Sequence, residues 1–573
     1  MATLTLPDVI RLEGRRKTPE EDQALKVLDT LFDEAKRAKD HWVKQEDIDR
    51  DLKLYRGQVG PPNREPHFKA NFVEAFIDRM TAQLTDNRPI IRVESRKDGL
   101  KGVADVANKV VRAIWDDEDV QRQTFKMCHN AAVTRSSGFY TGYDPLLDQV
   151  VLELVPISQV WIDPAVSEAA RVSKHAEYVI IERIRSLEEV KARFGRRADG
   201  LTADSDIDVV PQERRSVASP LTDIVFGRRL RGGMGVPRIK LREHLLRDWA
   251  VSTENGSVRL SNPGGRILIR SKDRLLYAGP NPYWDSEFCL DWFDWRVDPQ
   301  HPWGASEPDR LRHLQISFNE IMDGLVENQL LSNFLALVAD FDAFSPETWT
   351  KLQQISSSLI LRKQNRNASA VLTPPPTFGA DKIALARQLF TFAQLLTGVT
   401  DVTLGESPGS LQSGVALEGL QEGANLMTRS RASRLEDFFA RIGQKLLARI
   451  FQFMTSDRVV SLVGPTGAAL EYAIKRQEFF TRDDGNAIPE HERRQVFRDL
   501  RFVVSPGSSA IGSRVRRVEA TLKLKEAGVA SSLDVLQAGD FPEPEGMIER
   551  AKKELMEMAP VLNLLGSRRG PAS

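Results

Sequence analysis

The chain has 573 residues, too long for a single core, so about two to four structural units are expected. Hydrophobic residues make up 41% and charged residues 28%, an ordinary soluble globular balance, and no apolar run reaches the length of a membrane span. Lys plus Arg equals Asp plus Glu at 80 each, which argues against a surface built to neutralise duplex phosphates, and two cysteines (Cys128 and Cys289) exclude a disulfide framework or a Cys-rich zinc site.

Taken in order, MATLTLPDVIRLEGRRK lacks the apolar core of a signal peptide, so use in a cytoplasm is expected. Residues 19–55 predict one amphipathic helix with Leu25, Leu28, Leu31, Phe32 and Trp42 on a stripe, broken by YRGQVGPPNREP. Helices follow over about 70–86 and 101–115, with the strand IIRVES between them, and another from Val120 to near Gly138, with Phe125, Cys128 and Ala132 turned inward. FYTGYDP, QVVLELVPISQVWIDP and AEYVIIERI read as strands between Gly, Pro and Asp signals, and SLEEVKARFG as a helix. From 196 to 237 the periodicity dissolves into Gly, Pro, Asp and Arg, which predicts a mobile exposed insertion. Strands return at IKLREHLLRDWAVS, GGRILIRS, RLLYAG and CLDWFDWRV.

The stretch from Pro302 to Leu447 predicts helix, β-like excursion, helix, polar loop and long helix. Ser306 is a suitable N-cap, Glu307 and Asp309 favour the positive helix end, and Pro308 is tolerated in the first turn. Leu314, Phe318, Ile321 and Leu325 form an apolar face, while Glu320, Asp323 and Glu327 recur at i, i+3 and i+7 as an acidic one. NFLALVADFDAF and SSLILRKQNRNASAVLTPPP carry strand-type runs, and DKIALARQLFTFAQLLTGVTD is a returning helix stopped near Gly398. GESPGSLQSG is a loop, and a long helix is predicted from Ser413 to Phe453. VVSLVG, EYAIKRQEFFT and RFVVSPGSSA then read as strands completing the earlier sheet, and RVRRVEATLKLKEAG as a helix with Val515, Val518, Leu522 and Leu524 as a stripe.

Catalytic templates are missing. There is no GxxxxGK[ST], HExxH or CxxC, the string GESPG over 405–409 fits the letters GxSxG but sits in a polar loop and not at a strand-to-helix turn, and the eight histidines are scattered without ligand spacing. Asp204, Asp206 and Asp208 mimic the start of a calcium loop, but Val209 and Arg215 stand where Gly and Glu are needed. The run Asp116, Asp117, Glu118 and Asp119 reads as a solvated surface, because metal-dependent nucleases need carboxylates converging from separate elements. Trp292, Phe293, Trp295 and Trp303 favour core or interface packing over base stacking.

The order of elements, with the strings PWGASEP, LQISFNEI, SGVALEGL and VPISQVWIDP, resembles the portal (head-to-tail connector) proteins of tailed bacteriophages. The resemblance implies an α+β fold assembled as a ring: an N-terminal wing over 1–303, stem helix 1 over 304–334, an α/β clip over 335–378 and stem helix 2 over 379–399. A tunnel loop, long helix and second wing part would span 400–505, and a helical crown and tail 506–573. It implies no catalysis and no cofactor or metal. The partners implied are further copies of the chain (usually twelve), the terminase large subunit, head–tail adaptor and tail proteins, major capsid and scaffold proteins, and double-stranded DNA passing through. The place implied is the capsid portal vertex of the virion, after assembly in the host cytoplasm.

Carried onto this sequence, the resemblance makes Glu320, Asp323 and Glu327, continued by Glu418 and Glu422, channel-lining. The tunnel loop would be Leu404, Gly405, Glu406, Ser407, Pro408, Gly409, Ser410, Leu411, Gln412 and Ser413. Arg362, Lys363 and Arg366 would form a basic patch on the clip, facing DNA or an acidic partner, and Arg429, Arg431 and Arg434 would pair with neighbours. The rival readings are a metal-dependent nuclease or hydrolase of phage origin, and a capsid or scaffold protein.

Overall fold

The computed structural model describes residues 7, 10, 12, 17–59, 66, 68–86, 89, 91–145, 148–204, 237–249, 251–254, 257–332, 336–340, 345–347, 365, 367, 370–373, 380–399, 426–453, 458–463, 469–474, 480–504, 513–529, 531, 532 and 535. The chain divides into two compact units. The first comprises Met1–Asp49, Ile77–Ser306 and Asn425–Ser573, and the second Arg50–Phe76 and Glu307–Ala424.

Helix α1 (Pro19–Trp42) begins where the sequence signals it. The Thr18 side chain accepts the Glu21 N–H, Pro19 opens the first turn, and Glu20, Glu21 and Asp22 sit at the positive end. It does not run on to Tyr55 as the periodicity predicts: Val43 turns extended and is buried, and α2 (Gln45–Tyr55) starts afresh. Then come α3 (Phe72–Thr85), β1 (Ile91–Ser95), α4 (Lys101–Asp117) and α5 (Val120–Thr134). Helix α5 stops four residues short of Gly138, because Arg135 adopts φ 88 and Gly138 already lies in strand β2 (Ser136–Asp144). A Cβ at Gly138 would stand 2.2 Å from the Asp291 carbonyl oxygen, so the close strand approach there requires glycine.

Next are β3 (Gln149–Pro156), β4 (Val160–Ile162), the single turn α6 (Val172–His175), β5 (Tyr178–Ser186), α7 (Leu187–Phe194) and β6 (Arg238–Leu246). The hairpin β7 (Val251–Glu254) and β8 (Ser257–Leu260) precedes β9 (Arg266–Ser271), β10 (Arg274–Pro280) and β11 (Leu290–Asp294). Antiparallel pairing gives a five-stranded sheet, β10-β9-β6-β5-β4, and a three-stranded sheet, β11-β2-β3. On the larger sheet, Leu25 and Leu28 of α1 bury Tyr178, Ile180, Leu246 and Leu268, while Val190 of α7 packs with Ile239, Leu241 and Leu276. The alternation along β6 thus serves one helix on each face.

The second unit holds α8 (Glu307–Ser332), β12 (Ala336–Ala339) paired antiparallel with β13 (Ala370–Thr373), and α9 (Ala380–Thr397). Helix α8 begins directly after Ser306, and α9 ends at Gly398, whose φ of 75 only glycine adopts freely. Helices α8 and α9 pack together, burying Leu325, Ala386 and Ala393.

Back in the first unit, α10 (Leu426–Phe453) packs on β2 and β11, and is followed by β14 (Arg458–Val463), β15 (Ala469–Ile474), α11 (Glu490–Asp499), β16 (Leu500–Val504) and α12 (Ser513–Glu526). The sequence reading expects the late strands to complete the earlier sheet, but among the described residues they do not. Strand β16 alone joins an early strand, β1, while β14 and β15 pair with each other. The residues Trp292, Phe293, Trp295 and Trp303 are all at most 3% exposed and belong to the core, with Phe438 of α10 lying 5.7 Å from Phe293 and 5.8 Å from Phe139.

Candidate functional site

Helix α8 carries two polar rows with different roles. Gln315, Asn319 and Asp323 recur at i, i+4 and i+8 and hold an extended segment of the same unit. The Phe68 N–H donates to Asp323 Oδ1 (3.1 Å), the Ala70 N–H to Asn319 Oδ1 (3.3 Å), and the Phe72 and Val73 N–H groups to Gln315 Oε1 (3.0 and 3.3 Å). Gln315 Nε2 in turn donates to the Ala70 carbonyl at 2.7 Å. Phe72 and Val73 open α3, whose first-turn N–H groups have no partner within the helix, so Gln315 acts as a cap supplied from 243 residues away. Phe72 then packs edge-on to Phe318 (5.6 Å) and Phe390 (5.9 Å), which brings the segment onto α9 as well.

Asp323 is therefore 6% exposed and taken up by backbone, so Glu320, Asp323 and Glu327 do not form one solvent-facing row. At about 100° per residue, Asp323 lies nearer the covered edge of α8, and Glu320 and Glu327 lie about 20° from each other farther round. Glu320 is exposed and Glu327 half-buried. On α9, Leu385, Phe392 and Leu395 are 47%, 45% and 70% exposed on one side, an unusual concentration of apolar surface.

Helix α10 places its basic residues against β11 and the turn before it. Arg434 donates to Asp294 Oδ1 (3.2 Å) and to the carbonyls of Asp294 and Trp295, and Arg431 lies 4.6 Å over the Trp295 ring. Lys445 stands 2.9 Å and Arg441 3.7 Å from the Asp291 carboxylate. Arg449, fully buried, donates to Asp285 at 2.7 Å and covers the Tyr283 ring at 3.5 Å. Burial raises the Asp294 carboxyl above its usual range, against the pull of Arg434. The sequence signal for this ladder was Arg431, Arg434, Arg441, Lys445 and Arg449 at three- to seven-residue spacing facing three aspartates near β11. Among those expected to pair, Arg431 and Arg434 find these partners.

A second tie lies just ahead of α8 in the chain. Lys39 of α1 donates to the carbonyls of Ile157 (2.5 Å) and Val160 (2.8 Å), with the rings of Trp161 and Trp303 at 4.9 and 5.0 Å. Burial lowers its pKa to about 7, with Asp40 and Glu182 opposing. The strings VPISQVWIDP and PWGASEP thus meet on one ammonium.

Glu418, Glu422, the loop Leu404–Ser413 and the patch Arg362, Lys363 and Arg366 lie outside the described residues. Cys128 and Cys289 are buried thiols, and burial pushes Cys289 up to about 12. Asp204 accepts the Lys240 N–H (2.8 Å) and pairs with Lys272 (2.9 Å), while Asp206 and Asp208 lie outside the described residues. Among the described residues no group of three or more His, Cys, Asp or Glu is arranged to hold a metal ion, and no helix is long and apolar enough to cross a membrane.

The family model described as Phage P22-like portal protein matches residues 34–240 and 342–561. No curated protein matches the chain. The family match spans more than half of the sequence, and the chain belongs to the P22-like phage portal protein family.

Proposed function

We propose that this phage portal protein assembles as a closed ring, usually of twelve copies in such a family, at one vertex of the capsid. There it conducts double-stranded DNA inward during packaging and outward during ejection. The observation that carries this reading is the excursion of helix α8, the antiparallel pair β12 and β13, and helix α9 within a chain of the portal family. A heterologous interface that closes on itself is the symmetry such a ring needs. The exposed Leu385, Phe392 and Leu395 supply apolar surface for a neighbouring copy.

Glu320 and Glu327, continued by Glu418 and Glu422, line the passage. Carboxylates repel the phosphates, so the duplex gains no counterion-releasing contacts that would act as brakes. Asp323 contributes by holding the 68–73 segment rather than by facing DNA. The loop Leu404–Ser413 contacts the moving duplex. Arg362, Lys363 and Arg366 present positive charge to the terminase large subunit during packaging and to head–tail adaptors afterwards. Capsid and scaffold proteins surround the ring, which assembles in the host cytoplasm. The protein catalyses nothing; the shape and charge of the hole are the mechanism.

Mass photometry and negative-stain imaging of the purified chain test this. The expected result is a ring with a central hole at about twelve times the 64.4 kDa subunit mass. A monomer or dimer that persists when its scaffold protein is co-expressed would overturn the ring.

A further inference from the structure

The larger sheet of the first unit carries a cluster of cations that the channel reading does not use. Arg242 of β6 stands in register with Arg270 of β9, and Lys240 lies two residues along β6 on the same face. With Lys272 and Asp204 they line a cavity of about 160 Å³. Three of the four cations have carboxylate partners: Arg270 donates to Asp29 at 2.6 Å, Arg242 to Glu182 at 2.9 Å, and Lys272 pairs with Asp204 at 2.9 Å. The Lys240 ammonium acts on the Asp204 carboxylate through its charge but makes no ion pair within 4 Å of a carboxylate among the described residues. Arg270 is 8% exposed, and its Nε–H has no acceptor.

The positive field is not cancelled by these pairs. His244, two residues beyond Arg242 on the same face, is fully buried, with both ring nitrogens unpartnered. Burial first, and then Arg270 and Arg242, hold its imidazole well below the usual histidine range. A buried guanidinium N–H without an acceptor is destabilising, so an oxyanion reaching it would relieve that penalty. Guanidinium and ammonium donors converging in this way match tetrahedral oxyanions. The cavity is smaller than the roughly 300–1,000 Å³ of sites that enclose drug-sized ligands, so it admits one phosphate-sized group and not a whole nucleotide.

We propose that this cleft binds a single phosphate group, held by Lys240 and Arg270, with Arg242 supporting the field. The group is either free inorganic phosphate or one phosphate of a nucleic-acid backbone. The inference stands independently of the channel.

The test uses the full chain, with sodium phosphate as probe against sodium chloride at matched ionic strength, followed by calorimetry and thermal unfolding. Wild type should bind phosphate with a dose-dependent rise in unfolding temperature. Lys240→Ala should weaken binding about tenfold or more, and Lys240→Arg should retain it. Lys240 is partly exposed, so its variants fold where an Arg270 variant, losing Asp29, could fail. Competition by a short duplex oligonucleotide that weakens in Lys240→Ala assigns the group to a nucleic-acid backbone; phosphate binding without competition assigns it to free phosphate. An effect no larger than that of chloride, or equal binding in Lys240→Ala, overturns the proposal.

Discussion

Replacing Asp291 by Asn should be among the most damaging single-atom-scale changes in the first unit. Asp291 is 1% exposed on β11, with Lys445, also 1% exposed, at 2.9 Å and Arg441 at 3.7 Å. At an effective dielectric of about 20, unit charges at that shorter distance attract by about 6 kcal/mol. Desolvating two ions costs several kcal/mol each, so the intact pair is near balance, but breaking it leaves a buried ammonium with nothing to answer it. Lys445 Nζ and the Asp291 oxygens meet as an ion pair and make no hydrogen bond among the described residues. Asp291→Asn should therefore cost about 3–5 kcal/mol. Lys445→Met should cost less, because Arg441 remains to compensate Asp291. The double variant should return to within about 1–2 kcal/mol of wild type, giving a coupling of about 2 kcal/mol or more. Urea unfolding followed by tryptophan fluorescence suits the measurement, since Trp292 and Trp295 lie beside the pair. Single costs below about 1 kcal/mol that add in the double variant would mean the pair behaves as a solvated one, and would refute the reasoning.

Gln315→Ala removes the acceptor of two N–H groups and the donor to one carbonyl. It should destabilise the second unit by about 2–4 kcal/mol and speed hydrogen exchange at Phe72 and Val73, as read by mass spectrometry. His244 has a folded-state pKa below its unfolded value, so the unfolded chain takes up the proton first and stability falls as pH drops below about 6.5, by about 1.4 kcal/mol per pH unit from this group. A His244→Met variant should show a correspondingly shallower loss in urea unfolding as pH falls below about 6.5. At Gly443 an added Cβ would stand 2.2 Å from the Phe502 ring, so Gly443→Ala should push β16 off α10 and lower the melting temperature by several degrees. Reversing Glu320 and Glu327 to Lys should make the assembled ring retain duplex DNA in a salt-dependent way, measured by filter binding; unchanged retention would place those residues outside the passage.

Much of the element order was legible because local signals agreed with one another. Thr18 with Pro19, and Gly398 with the DKIALARQ helix, are caps whose chemistry is written within a few residues. Helix α11 was missed because EHERRQVFRD offers only Val496 and Phe497 as buried apolar residues, too few to show a period. The pairing of β16 with β1, some 400 residues apart in sequence, follows from packing on α4 and α10, which no alternation within RFVVS encodes. The break at Val43 was hidden because the stripe continues on both sides, and the burial of Val43 decides the turn.

The acidic face of α8 shows why a site is harder to read than a fold. Periodicity tells which residues share a side of a helix, but not which part of that side another segment covers. Glu320, Asp323 and Glu327 are equivalent by spacing, and they part only because the 68–73 segment arrives on the Gln315–Asn319–Asp323 edge. The sequence held a clue in those neighbours: amides at i and i+4 ahead of a carboxylate at i+8 make a row suited to an incoming backbone, since amides both donate and accept. A row meant for repelling phosphate gains nothing from amides and needs like charge open to solvent. Of the three acidic residues, that leaves Glu320 exposed and Glu327 half-buried beside it, so charge reversal there tests the proposed passage, while Asp323→Asn would report on the tie at Phe68.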